Sequence, residues 1–192
     1  MTHQTWTEYF EQTKNQPPRS LLVEALKFVL EKDEAIDLGS GALNDSKYLL
    51  EQGFKHVAAL DKEPVAKEIA EKLPKEKFTY IISDFETYSF PVNKFDLVNA
   101  QYALPFIKPE VFENVFHNIV ASIKADGILV GQLFGNRDEW KNKENMNFHT
   151  LEEAKGMFLD LEILYFEEEE KEKPTAAGIM KHWHVFHFIA RK

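Results

Sequence analysis

Short apolar runs alternate with segments of helical pattern along most of the chain. Such alternation is typical of a mostly parallel sheet with helices on both faces. Five apolar runs rich in Val, Ile, Leu or Phe are predicted strands: residues 35–38, 57–60, 78–82, 95–98 and 127–133. We therefore expect an α/β fold in which the chain winds to both sides of a central sheet.

Helix signals lie between the predicted strands, where capping residues and prolines mark the starts. Three helices are expected there: one capped by Asn44 or Asp45 that runs through Gln52 and ends at Gly53, one over residues 65–73 after Pro64, and one from Pro109 towards Ile123. Ahead of the first strand, Ser20 is expected to cap another helix. Its apolar positions fall on one face that can pack on the sheet: Leu22, Ala25, Leu26 and Val29.

Two further strand-like runs close the chain, over residues 161–166 and 182–190. They predict an antiparallel C-terminal hairpin, which brings the sheet to seven strands. The stretch between them, residues 167–178, is expected to be a long solvated loop, with 167–170 as an acidic turn. No repeat or linker divides the chain, so we expect one domain over residues 1–192, with an N-terminal helical segment over 1–30 and a core over 34–192.

Composition and charge exclude several kinds of partner and chemistry. The chain has 192 residues with 44% hydrophobic content, enough for one substantial core. Its formal charge of −9 and the lack of a dense Lys/Arg run speak against nucleic acid as a partner. The lack of cysteine excludes disulfides, thiolate metal sites and a cysteine nucleophile. With no signal region in residues 1–10 and no apolar run long enough to cross a bilayer, we expect a cytoplasmic protein without membrane contact.

The sharpest motif is a glycine turn between the first predicted strand and the helix after it. Gly39 and Gly41 allow the backbone to turn tightly and approach a ligand, and the next helix offers free N–H groups at its start. Asp61 follows Gly41 by twenty positions and ends the next strand, where a carboxylate can accept ribose hydroxyls. Together these features predict a site for a nucleotide-like cofactor. A dinucleotide fingerprint would need a third glycine where Asn44 stands, which disfavours NAD.

The motifs and their order resemble the class I S-adenosylmethionine-dependent methyltransferases over residues 17–192. The resemblance implies a Rossmann-like, mostly parallel seven-stranded sheet and S-adenosylmethionine as cofactor. By family motif, the methionine part of the cofactor would be held by Asp37, Gly39, Ser40 and Gly41. The ribose would be bound by Asp61, with Lys62 beside it, and the adenine by Asp84 and Phe85. The border between cofactor and acceptor would be formed by Asn99, Ala100 and Gln101. Within the family, the overall plan and the approach through Pro17-Pro18-Arg19 most resemble the small bacterial TehB-like group.

Two departures from common family patterns bear on the prediction. The family often has a third glycine where this chain has Leu43, and a side chain there is expected to narrow the gap between the glycine turn and the helix. The Asn/Asp-Pro-Pro-aromatic motif of enzymes that methylate amino groups of nucleic acids is absent, since Asn99 is followed by Ala100-Gln101. With the acidic charge, this predicts a small-molecule acceptor.

The acceptor pocket is expected near the ends of the fourth and fifth strands. Tyr102 is the candidate to orient or deprotonate the acceptor, with a passive wall of the pocket as the alternative. Arg137 and Trp140 are candidate acceptor contacts, with ordinary loop solvation as the alternative. Two other functions stay open, a nicotinamide-dependent oxidoreductase and a protein that binds S-adenosylmethionine without catalysis, and the sequence does not fix the oligomeric state.

Three histidines near the C-terminus do not predict a metal site. In a strand, His182 and His184 share one face and His187 lies on the other, so the three cannot converge on one ion. Pairing within the sheet is the expected use of these side chains.

The N-terminal segment is expected to fold over the cofactor as a lid. Trp6, Tyr9 and Phe10 form an aromatic cluster on a polar terminus, and Pro17-Pro18 stiffens the connection to Arg19. In the resembling family a basic residue in this region often meets the carboxylate of the cofactor's methionine part, a role that suits the forked donors of arginine. The alternative is an exposed Arg19 that solvates the start of the helix.

Overall fold

The centre of the molecule is one seven-stranded sheet. The computed structural model describes the backbone from His3 onward and the side chains from Thr7 onward. The strands are β1 Glu34–Leu38, β2 His56–Asp61, β3 Phe78–Ile82, β4 Phe95–Ala100, β5 Ile123–Phe134, β6 Glu162–Pro174 and β7 Met180–Arg191. Their order is β3-β2-β1-β4-β5-β7-β6, and all neighbours pair in parallel except β7, which is antiparallel to both β5 and β6. The predicted α/β, doubly wound fold with a C-terminal antiparallel hairpin is confirmed.

Six α-helices lie in the described part of the chain: α1 His3–Thr13, α2 Ser20–Ala25, α3 Asn44–Glu51, α4 Lys67–Ala70, α5 Pro109–Ser122 and α6 Leu151–Gly156. Helix α5 begins at Pro109 as predicted, since a proline at the first helical position loses no hydrogen bond. The helix expected over residues 65–73 is shorter, a 3₁₀ turn at Pro64–Ala66 followed by α4. None of the described helices is long and apolar enough to cross a membrane.

The predicted caps of two helices are wrong. Ser20 is the first residue of α2, and Arg19 takes the N-cap position. At α3 the N-cap is Leu43, with a left-handed φ of 61°, instead of Asn44 or Asp45. The physical reason is that the carboxylate of Asp45 has other partners, because it accepts a hydrogen bond from the backbone N–H of Arg19 at 2.9 Å.

The C-terminal hairpin is longer than predicted. Residues 167–174, expected within a solvated loop, continue β6 and pair with β7, so the connection shrinks to residues 175–179. The acidic side chains are compatible with a strand because cationic groups lie opposite them: Arg137 binds Glu168 and Glu170, and His182 binds Glu170. The acidic run is therefore one side of a cross-strand charge ladder.

Apolar layers cover both faces of the sheet, and a third cluster lies at one edge. Helices α5 and α6 pack on one face, whereas α2 and α3 pack on the other. The third cluster, here called the aromatic cluster, lies beyond the carboxyl end of β5 and contains Phe134, Met146 and Val185 with the partly buried Tyr102, Phe106, Trp140, Phe148 and Trp183. The chain reverses its winding between β1 and β4, so the carboxyl ends of these two strands flank the crevice in which doubly wound sheets bind ligands.

Candidate active site

The glycine turn is fastened to the carboxyl end of β2. The N–H groups of Gly39 and Ser40 donate to the carbonyl oxygen of Leu60 at 2.8 and 3.2 Å. Gly39 has a φ of 66°, and a Cβ atom there would lie 2.9 Å from the Cβ of Ala103 on the loop after β4. Only glycine fits this position, because any side chain would meet both backbone strain and a steric clash.

Asp61 holds the turn from the side of β2. Its carboxylate accepts hydrogen bonds from the N–H groups of Gly41 at 2.8 Å and Glu63 at 2.9 Å. Burial is the main cause that raises the pKa of Asp61, against the two backbone donors that lower it. A carboxylate offers about four acceptor positions, so two remain for ligand hydroxyls. Lys62 lies next to it on the exposed side.

A buried polar network lies beneath the turn. Asp37 accepts hydrogen bonds from the side-chain hydroxyl of Ser46 at 2.5 Å and from the amide of Asn99 at 2.8 Å. The same amide donates to Asp45 at 3.2 Å. Burial, followed by repulsion from Asp45, raises the pKa of Asp37 to about 7. The network therefore places two carboxylates where a positively charged ligand group would be stabilised.

The predicted adenine contacts lie beside the turn. Asp84 is exposed at the end of β3, and its backbone oxygen accepts the N–H of Tyr88 at 3.0 Å, which fixes the local turn. Phe85 is partly buried, and its ring tip lies 3.8 Å from the position of a Cβ atom at Gly39. The structure thus brings Phe85 to the glycine turn and leaves the carboxylate of Asp84 open to solvent.

Unpartnered polar atoms test whether S-adenosylmethionine fits this crevice. Among the described residues, five buried side-chain polar atoms have no hydrogen-bond partner, and three belong to predicted cofactor residues: Ser40 Oγ, Asn99 Oδ1 and Gln101 Nε2. Buried polar atoms without partners are rare, and a polar ligand is one explanation for them. Donors and acceptors together suit an ammonium and carboxylate pair, as in the methionine part of the cofactor.

Tyr102 has a strained backbone beside this crevice. Its φ is 54°, and its N–H donates to Gln132 Oε1 at 2.8 Å. The Gln132 amide in turn donates to Gln101 Oε1 at 2.8 Å. The guanidinium of Arg19 lies 4.9 Å above the Tyr102 ring and 3.2 Å from the hydroxyl of Tyr9. Strained positions of this kind cluster at functional sites.

The ionisation of Tyr102 bears on its predicted role. Burial is the main cause that raises the pKa of its hydroxyl, and the Arg19 charge only partly opposes it. Tyr102 therefore keeps its proton at neutral pH. It is suited to orient an acceptor by hydrogen bonding and unsuited to deprotonate one.

The two other predicted acceptor contacts lie beyond Tyr102. Arg137 binds Glu168 at 2.6 Å and Glu170 at 2.8 Å, so two carboxylates of β6 already hold its guanidinium. Trp140 lies in the aromatic cluster, 5.7 Å from Trp183 between ring centroids. The structure does not bring Arg137 or Trp140 to the glycine turn, and their contact with an acceptor stays a prediction.

Several polar residues of the site were not predicted from the sequence. The sequence predicts Asp45 only as a possible helix cap and gives Ser46 no role, although these residues bind Arg19 and Asp37. Gln132 is the one polar side chain between Ile128 and Phe134 on β5, and this isolated polar position in an apolar strand was an available signal.

The histidines of β7 lie as the alternation predicts. His182 and His184 face the carboxylates of β6, with His182 bound to Glu172 and Glu170 and His184 to Glu168. His187 lies on the opposite face, near Tyr102. Within the described residues, no group of three His, Asp or Glu side chains is placed to hold a metal ion.

Strand order, the glycine turn after β1 and the carboxylate of Asp61 at the end of β2 are the arrangement expected of a class I S-adenosylmethionine-dependent methyltransferase. The methyltransferase domain family matches residues 36–131, which is half of the chain, and the chain belongs to that family. Family membership identifies the protein as a methyltransferase enzyme with S-adenosylmethionine as cofactor. The nicotinamide-dependent and non-catalytic alternatives are thereby set aside.

Solved structures share the fold at low sequence identity. TehB from Haemophilus influenzae matches with a TM-score of 0.77 and 19% identity, over 97% of this chain and 67% of that one. A SAM-dependent methyltransferase from Methanosarcina mazei matches with a TM-score of 0.68 and 19% identity, over 92% and 99% of the two chains. A SAM-dependent methyltransferase from Mesorhizobium loti matches with a TM-score of 0.66 and 17% identity, over 89% of this chain and 95% of that one. No curated protein sequence matches the chain.

Proposed function

We propose that this methyltransferase holds its cofactor in the crevice between β1 and β4 and acts on a small-molecule acceptor bound beside it, near the carboxyl ends of β4 and β5. The unpartnered polar atoms of Ser40, Asn99 and Gln101 support the place of the cofactor, and the formal charge of −9 carries the choice of a small-molecule acceptor over nucleic acid. A binding site with polar atoms of both kinds and buried carboxylates favours a ligand with both a cationic and an anionic group.

Most of the predicted cofactor residues have a role in this proposal. Asp37 and Asn99, with Ser40 and the turn at Gly39 and Gly41, hold the methionine part of the cofactor. Asp61 accepts the ribose hydroxyls with the acceptor positions that Gly41 and Glu63 leave open. Phe85 and Asp84 contact the adenine ring and its amine, and Gln101 with Ala100 borders the acceptor.

Methyl transfer requires of the protein chiefly that it position the methyl donor and the acceptor. S-adenosylmethionine supplies a methyl group on a sulfonium, and an in-line displacement is accelerated chiefly by near-attack geometry. Tyr102 is placed to orient the acceptor, because its backbone is fixed by Gln132 and its hydroxyl keeps its proton. The formal charge of −9 supports an acceptor without a polyphosphate backbone.

The N-terminal segment is proposed to cover the cofactor within the same domain. The Asn44 amide donates to the carbonyl oxygen of Thr13 at 2.7 Å, which ties the end of α1 to the start of α3. Arg19 contacts both Tyr9 and Tyr102, so α1 and the loop after β4 meet above the crevice. The side chain of Trp6, part of the predicted aromatic cluster, lies outside the described residues. A cytoplasmic location is part of the same proposal, and the lack of cysteine is compatible with it.

Calorimetric titration with S-adenosylmethionine tests the proposal. Asp61→Ala should weaken binding by about 1–3 kcal/mol, the usual cost of leaving buried hydroxyls without a partner. Asp160→Ala, at an exposed aspartate in the connection between α6 and β6, is the matched control and should bind as the wild type does. Wild-type affinity in the Asp61 variant would remove this residue from the cofactor site.

A further inference from the structure

Polar side chains continue from Tyr102 across one face of the sheet. Gln132 on β5 lies directly opposite His187 on β7, and His187 lies opposite Glu167 on β6. Side chains in such directly opposed positions are about 5 Å apart and on the same face. Since Gln132 binds the backbone of Tyr102, His187 lies one strand beyond the residue predicted to orient the acceptor.

The surroundings of His187 are those of a neutral imidazole. Its ring meets the Tyr102 ring edge-on, with 6.5 Å between centroids, and its side chain is only 16% exposed. Nε2 lies 3.7 Å from Glu169 Oε1. Burial lowers the pKa of His187 more than Glu169 and Glu167 raise it, and Lys171 adds to the lowering.

We propose that His187 is the general base that takes the proton of the methyl acceptor, that Glu169 is its positioning residue, and that the acceptor is a protic nucleophile such as a phenol or a thiol. The inference rests on the proposed function. Because Glu169 faces Nε2, it favours the tautomer with hydrogen on that nitrogen and leaves the Nδ1 lone pair to accept a proton.

The reaction balances with groups already assigned. The acceptor heteroatom forms a bond to the methyl carbon as the carbon–sulfur bond of the sulfonium breaks, and that electron pair stays on sulfur as a thioether. The proton of the acceptor passes to His187, whose new charge faces Glu169. Solvent then removes the proton from the imidazolium.

The charges around His187 also favour this class of acceptor over an oxyanion. Glu167 and Glu169 border His187 from β6, and Lys171 is held by Glu169. Arg137, which could receive an anion, lies on the opposite face of the hairpin in contact with Glu168 and Glu170. Among the described residues, Arg19 contacts the Tyr102 ring while Glu167 and Glu169 approach from β6, so a multiply charged oxyanion would meet more repulsion there than a phenol or a thiol.

The first experiment compares wild type with His187→Gln on two acceptors, phenol and 4-nitrothiophenol, of which only the thiol is already ionised at neutral pH. We expect kcat with phenol to fall about 100-fold or more, the usual range for loss of a general base, and kcat with the ionised thiol to change little. His182→Gln, on the same strand but the opposite face, is the matched control and should leave both rates unchanged. Equal losses on the two acceptors, or no loss on phenol, would overturn the assignment.

A second measurement needs no turnover. In a titration followed by NMR, the imidazole of His187 should have a pKa below the ordinary histidine value, and Glu169→Gln should lower it further by removing the neighbouring negative charge. An unchanged pKa in the Glu169 variant would overturn the pairing. Calorimetry of S-adenosylmethionine binding separates this inference from the proposed function, because His187→Gln should bind the cofactor normally even if His187 is no base.

Discussion

At the scale of single residues, the most consequential contact in the site is the one between Asn99 and two carboxylates. Its amide donates to both Asp37 and Asp45, which would otherwise repel each other in a buried place. Because burial and Asp45 raise the pKa of Asp37, the folded protein without ligand holds a proton there more tightly than the unfolded chain does. A bound cationic group would reverse that preference.

Asp37→Asn should therefore change how stability depends on pH. With a raised folded-state pKa, Asp37 stabilises the fold below about pH 4, and this stabilisation is lost as the pH rises through about 7. The asparagine variant keeps the neutral form. Above pH 7 its free energy of unfolding, measured by urea titration without ligand, should exceed that of the wild type by at least about 1 kcal/mol, the equivalent of one pKa unit. Asp160→Asn is the control, and parallel pH profiles for wild type and Asp37→Asn would contradict the account.

Leu43 shows where residue-level prediction from sequence reaches its limit. The expected effect of this side chain was a narrower gap between the glycine turn and α3. In the structure the side chain is fully buried in the core layer of α2 and α3, while the backbone adopts a φ of 61°. Left-handed backbone costs about 1–2 kcal/mol for a residue with a side chain, and burial of a leucine contributes about 1.5–3 kcal/mol. The backbone cost of having leucine in place of the family's third glycine is thus offset by the burial of its side chain. A sequence motif does not reveal this packing.

At the scale of elements, the parallel half of the sheet could be predicted and the hairpin only in part. Strands β1, β2, β4 and the second half of β5 are buried on both faces, so their apolar runs identify them directly, and β3 at the sheet edge is identified by its β-branched and aromatic residues although it is partly exposed. In β6 the run of four glutamates gives no strand signal in the sequence. The side chains that pair with these glutamates, Arg137, His182 and His184, are distant in sequence. Likewise, the caps of α2 and α3 were wrong because Asp45 binds across to Arg19, a tertiary contact that local rules do not include.

The loop after β5 is fastened to the hairpin by one buried ion pair. Lys181 Nζ lies 2.5 Å from Asp138 Oδ2, with side chains 1% and 0% exposed. Lys181→Met should cost about 3–5 kcal/mol of unfolding free energy in urea titration, because Asp138 is left buried without a counter-charge. Lys27→Met, at an exposed pair with Glu24, should cost no more than about 1 kcal/mol.

The double variant Asp138→Asn/Lys181→Met completes this test. It should recover part of the stability, since neither buried charge remains. Equal decreases in the free energy of unfolding for Lys181→Met and Lys27→Met would show that the buried ion pair stabilises the fold no more than an exposed pair does.

The lid proposal is also tested at this scale, by removing or uncoupling α1. Deleting residues 1–15 should speed dissociation of S-adenosylmethionine in stopped-flow measurements, because the helix that contacts Arg19 through Tyr9 is gone. Arg19→Ala should weaken binding without lowering the melting temperature of the unliganded protein. Lys27→Ala, on the exposed side of the same segment, is the control. Wild-type affinity and dissociation rate in both the deletion and the Arg19 variant would refute the lid.

At the scale of the whole molecule, β4 divides the crevice into two halves of different predictability. The half towards β1 and β2 holds the glycine turn, Asp61 and Asp37, and its residues follow from motif and spacing. The half towards β5 and β7 holds Tyr102 and Gln132, which are joined by a hydrogen bond, and His187, which reaches them through the antiparallel register of β7. Sequence spacing does not encode that register, so motifs name the proposed cofactor residues but miss most residues of the proposed acceptor side.

The charge of the whole molecule leads to the last prediction, that neither DNA nor RNA binds at physiological salt or accepts a methyl group. The formal charge is −9, and at the proposed cofactor crevice Asp37, Asp45 and Asp61 add local negative potential that a phosphate backbone would meet. A protein that binds nucleic acid releases counterions from the phosphates it neutralises, so its affinity falls steeply with salt. Fluorescence anisotropy with labelled duplex and single-stranded probes should therefore show no binding at either low or physiological salt, and radiolabelled methyl groups should not appear in the nucleic acid. Tight binding that weakens as salt is raised would place a basic surface where the sequence has none and would transfer the acceptor from small molecules to nucleic acid.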